Sequence, residues 1–367
     1  MIDLTKPSIS LPTLLAALTF VFASTPSICA NSSASEQAEL QAFAALHPID
    51  AHVHVFKASP AFQIFLDKSN LTLLNILVVD DTLSYRKELQ PQIDDAWKLV
   101  HSSDGHVFFC TTFDPYKFDT QDFSEASIRQ IDRDFANGAI AVKLWKNVGM
   151  EIRDSHGKYI MPDDPKFAPL YKGIAQHDKT LIAHLAEPDL AWSKLDVKAD
   201  PLSQYYIENP QWHMYGKKGV PSKKAILKAR DHILAENPKL RVVGAHLGSM
   251  ERDLEGLGRD LDRYPNFAVD TAARMEYLMF GPKREVRSFL IKYQDRILYG
   301  TDLDIAPDAD IHESIKEWTS TYLDDWRFFA TGDSFEVDGR KVTGLKLPQS
   351  VLEKIYHTNA QHWIKGL

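Results

Sequence analysis

Cysteine is almost absent from this 367-residue chain: Cys29 and Cys110 are the whole complement, so no disulfide framework holds the fold. Basic blocks are missing as well. Lys and Arg number 42 against 50 Asp and Glu, a net charge of −8, which argues against nucleic acid as a natural partner. No apolar run reaches the roughly 20 residues of a membrane span. No Gly-x-Gly-x-x-Gly follows the first strand-like run, the signature that a dinucleotide-binding sheet would carry. Composition excludes a disordered or low-complexity chain, since 44% hydrophobic and 25% charged residues are the proportions of packed globular proteins. Domains of roughly 100–200 residues would divide this length into two or three, although an α/β barrel uses about 250 as one. The informative residue is histidine, because several of the 14 stand at the ends of apolar runs.

Residues 1–34 are expected to be a signal peptide. Lys6 precedes an apolar core, Leu11 to Ala23, of the length of a signal-peptide h-region. Small residues follow, and either Ile28-Cys29-Ala30 or Ser32-Ser33-Ala34 could precede the cleavage point. The alternative is a retained N-terminal anchor, for which the apolar core is short. The expected location is therefore the periplasm or the medium, with no stable membrane insertion after cleavage. A lone Cys110 suits such a compartment, because it has nothing to mispair with.

From residue 48 onward, short apolar runs alternate with helical patterns. The runs are Ile49–His54, Thr72–Val79, Val107–Thr112, Ala139–Trp145, Thr180–Leu185, Leu240–His246, Phe267–Asp270 and Ile297–Asp302. Continuous rather than alternating hydrophobicity is what strands buried on both faces require, and that means a parallel sheet. Between them, Ile93, Ala96, Trp97 and Val100 share a helix face, as do Ile128, Ile131 and Phe135. Ser222 reads as an N-cap for a helix turning Ile226, Ala229, Ile233 and Leu234 inward. Leu254, Leu257 and Leu261 form a further stripe, and Val286, Phe289, Leu290 and Tyr293 another. Eight strands alternating with helices over this length predict a (β/α)₈ TIM barrel spanning residues 35–367 as one domain. An open doubly wound sheet is the competing fold. Two stretches, 187–221 and 303–347, exceed minimal connections and read as long loops after strands 5 and 8, candidate lids or substrate walls. The second contains a predicted hairpin turning at Asp338-Gly339.

Polar residues gather where a barrel has its active site. His52 and His54 stand at i and i+2 of the first run, so they project to one face as two ligands of one metal would. The fifth run brings His184, the sixth His246 and the eighth Asp302. Five such groups at the same end of four strands point to a metal or proton-transfer centre, since unpaired buried imidazoles and carboxylates cost stability.

Asp-Ala-His-Val-His on strand one, the histidines on strands five and six, and Thr301-Asp302 on strand eight resemble the amidohydrolase superfamily of metal-dependent barrels. The closing Lys354-Ile-Tyr-His-Thr-Asn-Ala360 resembles the Asn-Ala element of its amidohydrolase-2 branch. The resemblance implies that His52, His54, His184 and Asp302 bind a divalent metal ion, zinc by ligand type, as one ion or two. It implies that His246 stands beside the metal as an acid, a base or a carbonyl-polarising group. Asp302 would take the proton of a metal-bound water, whose pKa the ion lowers to about 7, and pass it to the leaving group.

Lys143 lies inside the apolar fourth run, where an amine needs a partner. It is expected at the barrel mouth, and the resemblance implies either a carboxylated lysine bridging two metals or a charge partner of substrate or ligands. Lys146 is expected on the opposite face if the strand continues. Arg274, after strand seven, is a candidate for holding a substrate carboxylate, with a surface ion pair as its alternative. Asp114, Glu187 and Asp304 also fall near predicted mouths. The leading expectation is an exported hydrolase cleaving an amide, ester or lactone of a small molecule. A decarboxylase of the same branch is the alternative, and a metal-binding barrel without turnover a third. The expected partner is a small-molecule substrate, with a homo-oligomer admitted.

Overall fold

The computed structural model describes residues 34–198 and 202–367. The expected signal peptide therefore lies outside the described residues, apart from Ala34, which opens a helix running to Ala44. All eight apolar runs form strands: β1 (Ile49–Val55), β2 (Thr72–Ile76), β3 (Val107–Thr112), β4 (Ala141–Leu144), β5 (Thr180–Ala183), β6 (Arg241–Gly244), β7 (Phe267–Asp270) and β8 (Ile297–Leu298). A ninth, β9 (Leu303–Ile305), resumes the eighth run after an interruption. The strands form one parallel sheet in the order β8-β7-β6-β5-β4-β3-β2-β1-β9.

The sheet curls until its two edges share one stretch of chain. Residues 297–305 pair with β7 at their start, Asp270 opposite Leu298, and with β1 at their end, Val53 opposite Leu303. Between these pairings Ala51 N–H donates to Tyr299 O at 2.9 Å, and Asp302 N–H donates to His52 O at 2.8 Å. The last run is thereby tied to the first, which is what brings Asp302 to His52.

The connecting helices follow the apolar stripes. Lys223–Glu236 is capped by Ser222, whose hydroxyl accepts from Ala225 N–H at 3.1 Å, and it buries Ile226, Ala229, Ile233 and Leu234. Leu254–Arg263 buries Leu257 and Leu261, and Lys283–Lys292 buries Val286, Phe289 and Leu290. The stretch 303–347 is not an open loop. It forms a 20-residue helix, Ile311–Ala330, and the hairpin β10 (Ser334–Val337) with β11 (Arg340–Thr343). Trp318, Tyr322 and Phe329 of that helix are fully buried, with Trp318 edge-on to Phe62 and Tyr322 stacked on Phe43. Helical spacing of those aromatics packs this helix against the sheet's outer layer.

Inside the sheet, an apolar layer of Ile49, Leu74, Cys110, Ala141, Ile182, Val243, Ala268 and Leu298 is closed below by Trp363 and Ile364. Two residues above Ala141, Ile182 and Ala268 stand Lys143, His184 and Asp270. Strand alternation thus stacks a polar layer directly on an apolar one. Asn359 fastens the lower rim, its amide donating to Gln294 O and Ile297 O at 2.7 Å each. No helix among the described residues is long and apolar enough to cross a membrane.

Candidate metal centre

Four imidazoles run in a chain across the polar layer: His54 and His52 with ring centroids 5.5 Å apart, His52 and His246 at 4.9 Å, His246 and His184 at 4.0 Å. Each is held by its Nδ1. His54 Nδ1 lies 2.7 Å from Ile76 O, and His246 Nδ1 lies 2.8 Å from Ala272 O. A carbonyl only accepts, so both of those nitrogens carry the proton. His52 Nδ1 faces Asp270 Oδ2 at 2.8 Å and is a donor for the same reason. His246 Nε2 is then an acceptor, and His184 Nδ1 donates to it at 3.0 Å. The arrangement assigns one tautomer to all four rings and points the lone pair of each away on Nε2.

Those lone pairs meet a carboxylate. Asp302 Oδ1 stands 3.3 Å from His52 Nε2 and 3.3 Å from His54 Nε2. Burial holds the His54 imidazole down to about 4, so near neutral pH it brings no proton to this contact. Asp302 faces both imidazoles as a carboxylate, its ionised form coupled to the nearby Lys143 ammonium. Two acceptors thus face each other at His54 with no hydrogen between them. The donor set, two imidazole nitrogens and one carboxylate oxygen mutually within 4.8 Å, fits a divalent cation.

The supporting residues are as specific as the ligands. Asp270, fully buried, gives Oδ2 to His52 while its Oδ1 accepts the N–H of His246 at 2.7 Å and of Ala272 at 3.2 Å. Asp50, also fully buried, accepts from His52 N–H and Thr301 N–H at 3.1 Å each, from Thr301 Oγ1 at 2.6 Å and from Tyr322 OH at 2.9 Å. It clamps the backbone of two ligand segments together. Desolvation nonetheless lifts its carboxyl to about 6. Two site segments adopt left-handed backbone: His246 at φ 61° with Leu247 at 55°, and Asp302 at φ 69°. Asp tolerates that region better than most residues, and at Asp302 it breaks the eighth strand into β8 and β9.

The structure thus brings His52, His54 and Asp302 together. His184 lies one ring further, next to His246, and its Nε2 is buried without a hydrogen-bond partner. Lys143, 1% exposed, points Nζ at His52 Nε2, 3.0 Å away, and burial lowers its ammonium to about 8. It is a neighbour of the site, as expected of a residue at the mouth. Lys146 is also there, because the continuation of the strand that would turn it away does not occur. The strand ends at Leu144 and Lys146 takes helical angles, so period-two alternation no longer decides its direction. Its ammonium pairs with Glu187, donates to Tyr205 OH at 3.0 Å, and sits 4.5 Å over the Trp212 ring. Arg274 is not a surface residue: it is 7% exposed, its Nε 3.6 Å from Glu251. Asp114 caps a short turn through Tyr116 N–H and stays outside the cluster.

A cavity of about 330 Å³ opens over these groups, walled by Trp145, Tyr205 and Trp212 and reached by Arg86 and Asp304. The stretch 187–221 therefore contributes Tyr205 and Trp212 to the wall of this cavity. Sequence reasoning passed over Asp50, Asp270 and Arg86. A ligand histidine needs an acceptor behind its Nδ1, and that requirement was the one signal for Asp270.

Residues 49–364 match the family model described as Amidohydrolase. No curated protein matches the sequence. Among solved structures, a dihydroxybenzoic acid decarboxylase of Polaromonas sp. JS666, with bound manganese and 2-nitroresorcinol, is similar at 12% identity and a TM-score of 0.53. That alignment covers 86% of this chain and 96% of the other. A 2,6-dihydroxybenzoate decarboxylase from Rhizobium is similar at 13% identity and TM-score 0.50, covering 86% and 98%. A candidate amidohydrolase from Staphylococcus aureus is similar at 15% and 0.51, covering 87% and 99%.

Proposed function

The chain belongs to the amidohydrolase family, and from that premise we propose that it is a metal-dependent lyase on a (β/α)₈ barrel that removes carboxylate from a small ring-bearing acid. The observation that carries the metal is the Asp302–His54 contact, where two lone pairs meet at 3.3 Å with no proton to share. His52, His54 and Asp302 would hold the ion, and His184 offers the further nitrogen left without a partner. The decarboxylases among the similar folds favour this reaction over the cleavage of an amide, ester or lactone expected from the motif. Nitrogen and carboxylate donors admit zinc or manganese. Bound there, the ion supplies positive charge that polarises a substrate oxygen.

The residues of the chain do the rest. Trp145, Tyr205 and Trp212 present ring faces and edges to a planar substrate. Loss of carbon dioxide breaks one carbon–carbon bond, leaves its electron pair on the ring carbon and requires one proton there. Both ring nitrogens of His246 are engaged, by Ala272 O and His184. Asp302, with 30% of its side chain exposed, is the group placed to carry that proton. The apolar segment Leu11–Ala23 supports an exported enzyme as part of this reading.

The test is carbon dioxide release from a panel of hydroxybenzoates by manganese- or zinc-loaded protein in ¹⁸O water. Release without ¹⁸O in the aromatic product is expected, and its loss in Asp302→Asn. Turnover of esters, lactones or amides with ¹⁸O incorporated, and none of the acids, would replace the lyase by a hydrolase.

A further inference from the structure

At the opposite ends of the strands from the metal centre lies a cavity of about 670 Å³. It is bordered by residues that lead into β6, β7 and β8 and by the closing helical turn Asn359–Trp363. Its lining runs against the charge of the chain. Four cations, Lys239, Arg241, Arg296 and Lys354, meet one carboxylate, Asp295, in a protein whose net charge is −8. His362 adds an imidazole to the same wall.

Two of the four cations are engaged within the protein. Arg241 pairs with Asp178 at 2.7 Å and gives its Nε to Trp363 O at 3.2 Å. Lys354 pairs with Asp295 at 2.7 Å. Among the described residues, Lys239 and Arg296 form no ion pair. Arg296 is nevertheless held in place. Its Nη1 donates to Tyr264 O, Pro265 O and Phe267 O at 3.3, 3.0 and 2.9 Å, and its guanidinium lies 5.3 Å from the Trp363 ring. Those contacts fix the plane of the group. They leave Nε and Nη2, the edge that takes an oxyanion in two-pronged fashion, without a partner among the described residues. The carboxylates that act on it, Asp295 and Asp262, are held by Lys354 and by Lys292 with Tyr293 OH. Burial outweighs both and lowers the guanidinium below its usual value, so its charge is under-compensated where it stands.

Two uncompensated cations in one cavity call for two negative charges from outside the chain. A guanidinium edge reads the geometry of a phosphoryl group, and an ammonium serves it as a point charge. We propose that this cavity binds a small phosphorylated molecule, its phosphoryl dianion on the free edge of Arg296 with Lys239 as the second cation. The organic part has room against Pro238 and Pro265. The site is separate from the metal centre and does not rest on the reaction proposed there.

Zinc-loaded protein titrated calorimetrically with phenyl phosphate tests it, at pH 8, above the second phosphate pKa of about 6. Benzenesulfonate is the control of similar shape with one charge fewer. Phenyl phosphate should bind about fivefold more tightly than benzenesulfonate, the worth of one further charge pair near a surface. Arg296→Gln should weaken phenyl phosphate at least about tenfold, the loss of a two-pronged charge-assisted contact. Lys239→Gln should weaken it about threefold. Lys239 is exposed, so that variant keeps the test open where Arg296→Gln misfolds. Asp302→Asn, which alters the metal centre, should leave the affinity within about twofold. Affinity that falls in Asp302→Asn and holds in Arg296→Gln or Lys239→Gln places the ester at the metal and overturns the proposal. Equal affinities for the two anions, or no saturable binding, overturn it as well. Failure of the lyase reading is told apart by its own assay, since binding here requires no turnover.

Discussion

Asp270 makes no contact with the cavity, yet replacing it by asparagine should cost the protein its metal. Its Oδ1 holds the N–H groups of His246 and Ala272, so in Asp270→Asn the amide oxygen must stay on that side. The amide nitrogen then faces His52 Nδ1, and two donors meet. The imidazole can relieve the clash only by moving its proton to Nε2, the atom that faces Asp302. Loss of the acceptor behind a ligand histidine lowers metal affinity by roughly 10–100-fold, about 1.4–2.7 kcal/mol. The bond broken here is charge-assisted and buried, worth about 1.5–3 kcal/mol, which places the effect in the upper half of that range. Asp270→Ala separates the terms: it brings no opposing donor but strands the His246 N–H, so it should lose stability of about 1–3 kcal/mol as well. Competition against a chromophoric chelator measures affinity, and thermal melts of the metal-free proteins measure the fold. Wild-type affinity in Asp270→Asn would refute the tautomer assignment and with it the case for a cation at His52.

Two further expectations follow from buried charges. With Lys143 as an ammonium beside His52 Nε2, wild-type protein should hold one ion per chain by plasma mass spectrometry and Lys143→Ala should still hold one. A fall from two to one would establish the carboxylated, bridging form instead. Burial pushes the Asp325 carboxyl up to about 8, although Tyr299 OH donates to it. Unfolded Asp titrates near 3.9, so between about 4 and 8 the folded state holds the extra proton and stability falls as pH rises. Asp325→Asn keeps the acceptor for Tyr299, and it should raise Tm by several degrees at pH 8 and leave it unchanged near pH 4. An equal shift at both values would show that the carboxyl is not neutral in the fold.

The strands were legible because parallel strands buried on both faces need unbroken apolar runs, and those runs survive in any context. His52, His54, His184, His246 and Asp302 were legible because each ends such a run. What the pattern could not carry was backbone that leaves the strand. Ile297–Asp302 reads as one strand, but the strand ends at Leu298 and pairing resumes only at Leu303, past the left-handed Asp302. Lys146 reads as outward-facing only while alternation continues, and it stops at Leu144. Asp50 stands two residues before His52 and would share its face in a regular strand. The register shift between Asp50 and Val53 turns it instead toward Tyr322. Arg86 ends a three-residue helical turn, too short for periodicity, and nothing local marks it as a cavity residue. The aromatic residues of Ile311–Ala330 carry a helical period, which a reading of 303–347 as a long loop leaves unused.

Because residues 297–305 join β7 to β1, the metal triangle draws its members from opposite ends of the chain. At about 5–20 residues per second of synthesis, Asp302 follows His54 by roughly 12–50 s. During that interval the two imidazoles are present with no carboxylate to complete their set, and the first strand has only one of its two neighbours. The centre is therefore among the last features of the molecule to assemble. A nascent chain halted before Asp302 would carry most of the sheet and an incomplete donor set, so acquisition of the ion would serve as a chemical report that the eighth run has been made and the sheet has closed.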